Sequence, residues 1–340
     1  MAGGYAGRGI GQGIFAISNF IGVGFAAWLT LRVLQTKSNL AVALGLVFAV
    51  VLWGGNNTGT KLLVAQWPPS FTGGSRFLCA GLILLGVLRA TKWLGEHHVP
   101  PRELRRPLWV RGGLSLAGYI VAFNWAVRYT SPSHVALYLG AAPVWALIWE
   151  VVTGQSRFNL RWVAAALLAL LGVFLLVRPA LQATSLQLSG EVLGLVASVL
   201  WVNYGRQCRA LASTLSGAEV SAQTMWRAGV WLLPVSVLEF TERGLPFTWQ
   251  LGAIHLYCIL AGGVIAFAIW NNALRHWPTS QVLLFNNLIP LSTMTWAHFW
   301  LGEPVTSTFW IAMLLVAAGV VLGHANWRGR TTTTATAPLE

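Results

Sequence analysis

Residues 123–137 hold Phe123-Asn124-Trp125-Ala126-Val127-Arg128 and, past a short break, Ser133-His134-Val135-Ala136-Leu137. The pattern returns as Asn271-Asn272-Ala273-Leu274-Arg275 and Ser280-Gln281-Val282-Leu283-Leu284, 147 residues later. Pro143 and Pro290 keep the same spacing, as do Gly172 and Gly319. A fixed offset held from Asn124 to Gly172 marks a duplicated unit, and such a repeat decides the fold before any local reading does. The front of the unit repeats as well, at an offset of 148. Ala49-Val50-Val51-Leu52-Trp53 lies against Ala197-Ser198-Val199-Leu200-Trp201, Lys61 against Arg209, and Ala80-Gly81 against Ala228-Gly229.

Composition places this unit in a membrane. The chain has 340 residues, 56% hydrophobic and 9% charged, with a mean hydropathy of +0.63. A soluble domain is about 25% charged, so this chain cannot cover a water-exposed surface. Its net charge of +13 reads as a basic cytoplasmic face rather than a nucleic-acid surface. Nineteen tryptophans suit two membrane–water interfaces. Cys79, Cys208 and Cys258 make no disulfide or zinc spacing, and the chain contains no aspartate. No metal or cofactor is expected.

The expected fold is all-α and polytopic, with ten transmembrane helices arranged as two inverted five-helix repeats. The spans are set at about 40–64, 71–90, 108–127, 133–152 and 160–177, then 190–210, 218–238, 250–271, 279–300 and 307–325, each near the ~20 residues that cross a bilayer. Residues 1–39 form an N-terminal extension with a candidate extra helix at Ile14–Val33. Residues 40–178 are the first repeat, 190–326 the second, and 327–340 a disordered tail. Five spans per unit is odd, so the second copy enters the membrane inverted, and corresponding loops should then switch charge. Lys92, Arg102, Arg105 and Arg106 follow the second span, whereas the matching turn of copy two has Arg243 beside Glu239 and Glu242. Gln155-Ser156-Arg157 is matched by Gly302-Glu303-Pro304. Both ends of the core fall in the cytoplasm; the pair Arg128 and Arg275 does not discriminate.

Several residues resemble the drug/metabolite transporter superfamily, and within it the EamA-type permeases with ten spans. These are Leu52-Trp53-Gly54 with Lys61, Ser75-Arg76-Phe77 before Ala80-Gly81, and Ala126-x-Arg-Tyr-Thr-Ser-Pro-Ser133 with Pro143. In copy two they are Ala273, Ser280, Pro290, Leu301-Gly302-Glu303 and Gly319. The likeness covers about residues 40 to 325, and Gly154-Gln155 departs from its Gly-Glu pattern. It implies a cavity walled by spans one to four of each copy, with the fifth spans peripheral.

Polar groups at membrane depth mark the candidate path. Asn56, Asn57, Asn124, Asn203 with Tyr204, Asn271 and Asn286 either line a cavity or bond helix to helix. Tyr119, Phe123, Tyr138, Trp270 and Phe285 are candidate apolar walls, or ordinary helix packing. Arg227 stands deep in the seventh span and is either a substrate-binding cation or a snorkelling one. Arg76 and Lys61 are placed near the outer ends of their spans, where snorkelling or a rim role is expected. Glu150 and His134 are the candidates for proton coupling, His134 because imidazole titrates near neutrality.

The expected function is a secondary transporter, a permease or exporter of small metabolites working by alternating access in a bacterial inner membrane. Amino acids and related compounds are the leading substrate class. The expected partners are a small-molecule substrate and the lipid bilayer, with no nucleic acid; a homodimer is left open. There is no Walker A motif. The alternatives are a membrane-embedded enzyme or a non-transporting scaffold. His97-His98, His255, His276, His298 and His324 make no metal or acyl-transfer pattern.

Overall fold

A computed structural model describes residues 37–154, 160–182, 184–211, 215–277, 282 and 285–324. The expected N-terminal helix at 14–33, the tail at 327–340 and Gln155-Ser156-Arg157 lie outside these residues, as does the side chain of Glu150. Among the described residues the chain is helical and has no strand. The helices are α1 (Lys37–Gln66), α2 (Pro69–Ala90), α3 (Arg102–Pro107), α4 (Leu114–Tyr129), α5 (Pro132–Gly140), α6 (Ala142–Val152) and α7 (Leu160–Val177). After these come α8 (Ser185–Leu211), α9 (Gly217–Arg243), α10 (Trp249–Tyr257), α11 (Ala266–His276), α12 (Ile289–Leu301) and α13 (Ser307–His324). Among the described residues five stretches are long and apolar enough to cross a bilayer: Leu40–Gln66, Pro69–Ala90, Val163–Leu181, Ser185–Leu211 and Trp249–Leu274. Phe48, Leu82, Leu167, Phe174, Val237 and Leu314 are exposed around the bundle, an apolar belt that water would not tolerate and lipid would.

Local chemistry sets the helix limits. Trp67-Pro68-Pro69 ends α1, since a residue before proline is pushed out of the helical region. Ser216 caps α9 by accepting from the Glu219 amide while the Glu219 side chain accepts from the Ser216 amide, a reciprocal capping box. Gly302 takes φ +67 where α12 ends. The fourth hydrophobic stretch, expected as one span, is two helices meeting at Ala141. Pro143 has no amide to continue the hydrogen-bond ladder there, and its counterpart Pro290 stands at the start of α12 behind the 3-10 turn Phe285–Leu288. The third stretch of each copy carries a π-helical segment, Leu108–Gly113 and Cys258–Ile265.

Two close helix crossings join equivalent elements of the two copies. On α2, a Cβ at Gly81 would stand 2.5 Å from the Trp226 amide and 3.1 Å from the Ala222 carbonyl; on α9, one at Gly229 would meet Leu78 at 2.5 Å and the Gly74 carbonyl at 2.8 Å. Each contact is the other displaced by 148 residues. Residues late in one helix meet residues early in the other, so α2 and α9 run antiparallel. The crossing of α7 and α13 repeats this. Gly172 faces the Ala312 carbonyl and Val316, and Gly319 faces the Ala165 carbonyl and Ala169. Small residues at such points let backbones approach, which is what holds helices together where lipid removes the hydrophobic drive. The contacts of α4 with α8 are answered by those of α1 with α11 and the π segment before it.

Candidate functional site

Arg76 joins a buried polar group on α1 and α2. It stands seven residues into α2, roughly 10 Å along the axis, and is 5% exposed. Its Nη1 donates to Asn56 Oδ1 at 3.1 Å and to Thr60 Oγ1 at 3.0 Å on α1. The guanidinium lies 4.6 Å from the Phe77 ring centroid, and Tyr119 and Cys258 are close enough to feel its charge. Asn57 extends the group by donating to Thr293 Oγ1 on α12 at 3.1 Å. Among the described residues no carboxylate pairs with Arg76. Its position corrects the expectation of snorkelling at a rim: the side chain turns inward and is held by Asn56 and Thr60.

The second copy presents a different version of the same place. Asn56 and Arg76 become Tyr204 and Thr224 at the offset of 148, and the Tyr204 hydroxyl bonds Thr224 Oγ1 at 2.8 Å. The flanking aromatics also correspond: Trp201 stacks on Tyr119 with centroids 4.9 Å apart, and Trp53 meets Phe267 at 5.3 Å and Trp270 at 5.1 Å. Phe123 joins the first group through Tyr119 at 5.6 Å. Asn124 and Asn271 behave alike, each donating back to its own helix, at Ile120 O (2.7 Å) and Phe267 O (2.8 Å). Asn124 Oδ1 is buried with no partner. The site is therefore charged on the copy-one side and neutral on the other.

Other expected residues fall elsewhere. Arg227 is buried, but its Nη1 donates to Gln223 of its own helix, at O (2.8 Å) and Oε1 (2.5 Å), and its guanidinium stacks 4.2 Å from the Trp226 ring. Among the described residues it makes no hydrogen bond to an asparagine. Asn203 donates to Ser115 Oγ at 2.6 Å and lines a groove of about 320 Å³ between α4 and α8, with Arg111 and Gln207. Phe285 packs into an apolar cluster with Ala43, Leu46, Val50 and Trp277. Asn286 is half-buried in the neighbouring 3-10 turn.

Tyr138 and His134 meet a group that sequence reasoning missed. Glu191, fully buried near the start of α8, accepts through Oε1 from Thr130 at 2.6 Å and His134 Nδ1 at 2.9 Å, and through Oε2 from Tyr138 at 2.5 Å. Beside it Lys61 donates to the carbonyls of Val127, Arg128 and Thr130 at 2.8, 3.0 and 2.8 Å. Ser133 donates to Glu303 Oε1 in the turn between α12 and α13. A lone glutamate inside an apolar stretch was the signal available for Glu191. At the pseudo-equivalent place, Thr130, Tyr138 and Glu191 are replaced by Trp277, Phe285 and Ala43, so a polar trio in one copy is answered by an apolar one in the other.

The comparisons agree with this architecture. The EamA-like transporter family matches the chain twice, over residues 40–178 and 188–323. An "Uncharacterized transporter" of Archaeoglobus fulgidus is 24% identical over 296 residues, covering 86% of this chain and 99% of that protein. The "Uncharacterized inner membrane transporter YhbE" of Escherichia coli K12 is 22% identical, covering 87% and 95%. A Salmonella typhimurium protein named "Probable amino-acid metabolite efflux pump" is 24% identical, covering 84% and 95%. A solved crystal structure shares the fold with a TM-score of 0.53 and 19% identity, over 85% of this chain and 98% of that one. With a double family match and an apolar helical bundle, this chain is an integral membrane protein of the EamA-like transporter family.

Proposed function

We propose that the protein is a secondary transporter that carries small carboxylate-bearing metabolites, amino acids foremost, by alternating access. Its two units act as inverted five-helix repeats giving ten spans, with the core termini on the cytoplasmic side of a bacterial inner membrane. Antiparallel crossings of equivalent helices, α2 on α9 and α7 on α13, support the inversion, as does the switch of loop charge. In this orientation the end holding Glu191, Lys61 and Glu303 faces away from the cytoplasm, and the Trp277 end faces it.

One observation carries the substrate class: Arg76 is buried with hydroxyl and amide partners and without a described counter-ion. A substrate carboxylate would supply the missing charge through the planar donor fork of the guanidinium. Asn56 and the Tyr119–Trp201 aromatics would orient the rest, in the usual mix of apolar wall and few polar contacts. The name of the Salmonella relative points the same way. The test is counterflow of a panel of radiolabelled amino acids into proteoliposomes. Saturable exchange that Arg76→Ala abolishes and Arg227→Ala retains is the expected result. Exchange that survives unchanged in Arg76→Ala would refute the assignment.

A further inference from the structure

The two carboxyls at the Glu191 end have unequal surroundings. Glu191 has three donors on its two oxygens, the environment of an ionised carboxylate. Glu303 has Ser133 on Oε1, while its Oε2 is buried and accepts no hydrogen bond. A bare buried oxygen costs far more on a charged carboxylate than on a neutral carboxylic acid.

Charges from every neighbouring element bear on this group. Lys61 on α1 is occupied by three backbone carbonyls, with Arg128 of α4 bonded to Val64 O beside it. His134 and Tyr138 on α5 are turned to Glu191 of α8. His298 on α12 contacts the Glu303 carbonyl through Nδ1 at 2.9 Å. Burial pushes the Glu303 carboxyl above the usual range; Ser131, His134 and Lys61 oppose this in part, and the Glu191 charge adds to it. Both glutamates belong to copy two, and the hydroxyl and imidazole donors they hold belong to copy one. Opening this end therefore separates each carboxyl from its partners.

We infer that Glu303 is a proton-binding site whose protonated form holds this end of the bundle closed, so that proton release loosens it. The inference rests on the alternating-access reading and adds to it the ligand that biases one state. A carboxyl that binds its proton more tightly when closed favours closure in acid. That contribution fades as pH rises through the closed-state pKa.

The experiment needs no substrate. In full-length protein in lipid nanodiscs with Cys79, Cys208 and Cys258 replaced by Ala, a reporter cysteine is placed at Ala197. This position is fully buried on α8 and lies roughly 9 Å further along the axis from Glu191. Modification by a charged methanethiosulfonate is divided by that of an exposed reference, Ser189→Cys, to cancel the pH dependence of the reagent. The expected ratio is low at pH 5.5 and rises severalfold at pH 8.5. Glu303→Gln, which mimics the neutral acid, should hold it low at both, and Ser133→Ala, which removes a donor to the carboxyl, should move the midpoint upward. A rise with pH that Glu303→Gln leaves intact overturns Glu303 as the site and leaves alternating access standing. A reporter that stays unmodified at every pH overturns both, because this end then never opens.

Discussion

The crossing of α2 and α9 makes a prediction that depends on helix geometry alone. A methyl added by Gly81→Ala would lie 2.5 Å from the Trp226 amide and 2.8 Å from Met225 Cβ. Comfortable carbon contacts are about 3.5–4.0 Å, so the helices must part by on the order of 1 Å. The obstacle is backbone, which no rotamer change relieves. Overpacking of this kind costs about 1–3 kcal/mol, set against a helix-propensity gain of up to ~1 kcal/mol for replacing glycine. The net expectation is a loss of about 1–2 kcal/mol, and Gly229→Ala should match it, since Leu78 Cβ and the Gly74 carbonyl stand at 2.5 and 2.8 Å. Gly86, on the same helix, has nothing within 4 Å, so Gly86→Ala keeps only the propensity gain. Both obstructed methyls act at one interface, so the double variant should lose less than the sum of the singles. Thermal unfolding in detergent, checked by SDS titration, measures all four. Gly81→Ala as stable as Gly86→Ala, or fully additive losses, would refute the close antiparallel crossing.

Arg76→Lys should weaken amino-acid counterflow about tenfold or more through loss of charge-assisted bonds worth about 1.5–3 kcal/mol, while Arg227→Ala should change stability and leave affinity alone. Tyr138→Phe removes a donor to a buried carboxylate and should cost about 1.5–3 kcal/mol of stability, read as a lower thermal midpoint. Stability of the closed Glu191 end should be greatest in acid and fall as pH rises through the raised Glu303 pKa, with that slope missing in Glu303→Gln; thermal midpoints across pH 5 to 9 test the sign. Lys92→Cys and Thr306→Cys should be labelled by an impermeant reagent from opposite sides of the membrane, and labelling from one side would contradict the inverted repeats.

The offset of 147–148 residues made the duplication legible, whereas the packing of equivalent helices on one another appears only in three dimensions. Polar and aromatic residues at membrane depth marked Asn56, Tyr119, Asn124 and Tyr204, and all four are buried. Position along a helix, however, says nothing about which way a long side chain turns. Arg76 looked like a rim residue and turns inward to Asn56 and Thr60; Arg227 looked deep and folds back on Gln223 and Trp226 of its own helix, with its Nε buried and unpartnered. Glu191 escaped notice because its partners lie 53 to 61 residues away in sequence, and no local pattern announces a donor brought by tertiary packing. Glu303 was read as a turn residue, which it is, and the turn itself delivers its carboxyl to Ser133.

The contrast between the polar trio at Glu191 and the carbon packing of Ala43, Trp277 and Phe285 has a thermal consequence. Burial of carbon surface from water carries a large heat capacity and weakens on cooling, whereas a closure built from carboxyl, hydroxyl and imidazole groups lacks that dependence. Chilling should therefore loosen the Trp277 end first, and excluded salts such as sulfate should tighten it selectively. The two ends are then expected to answer to different variables, one to temperature and salt, the other to protons.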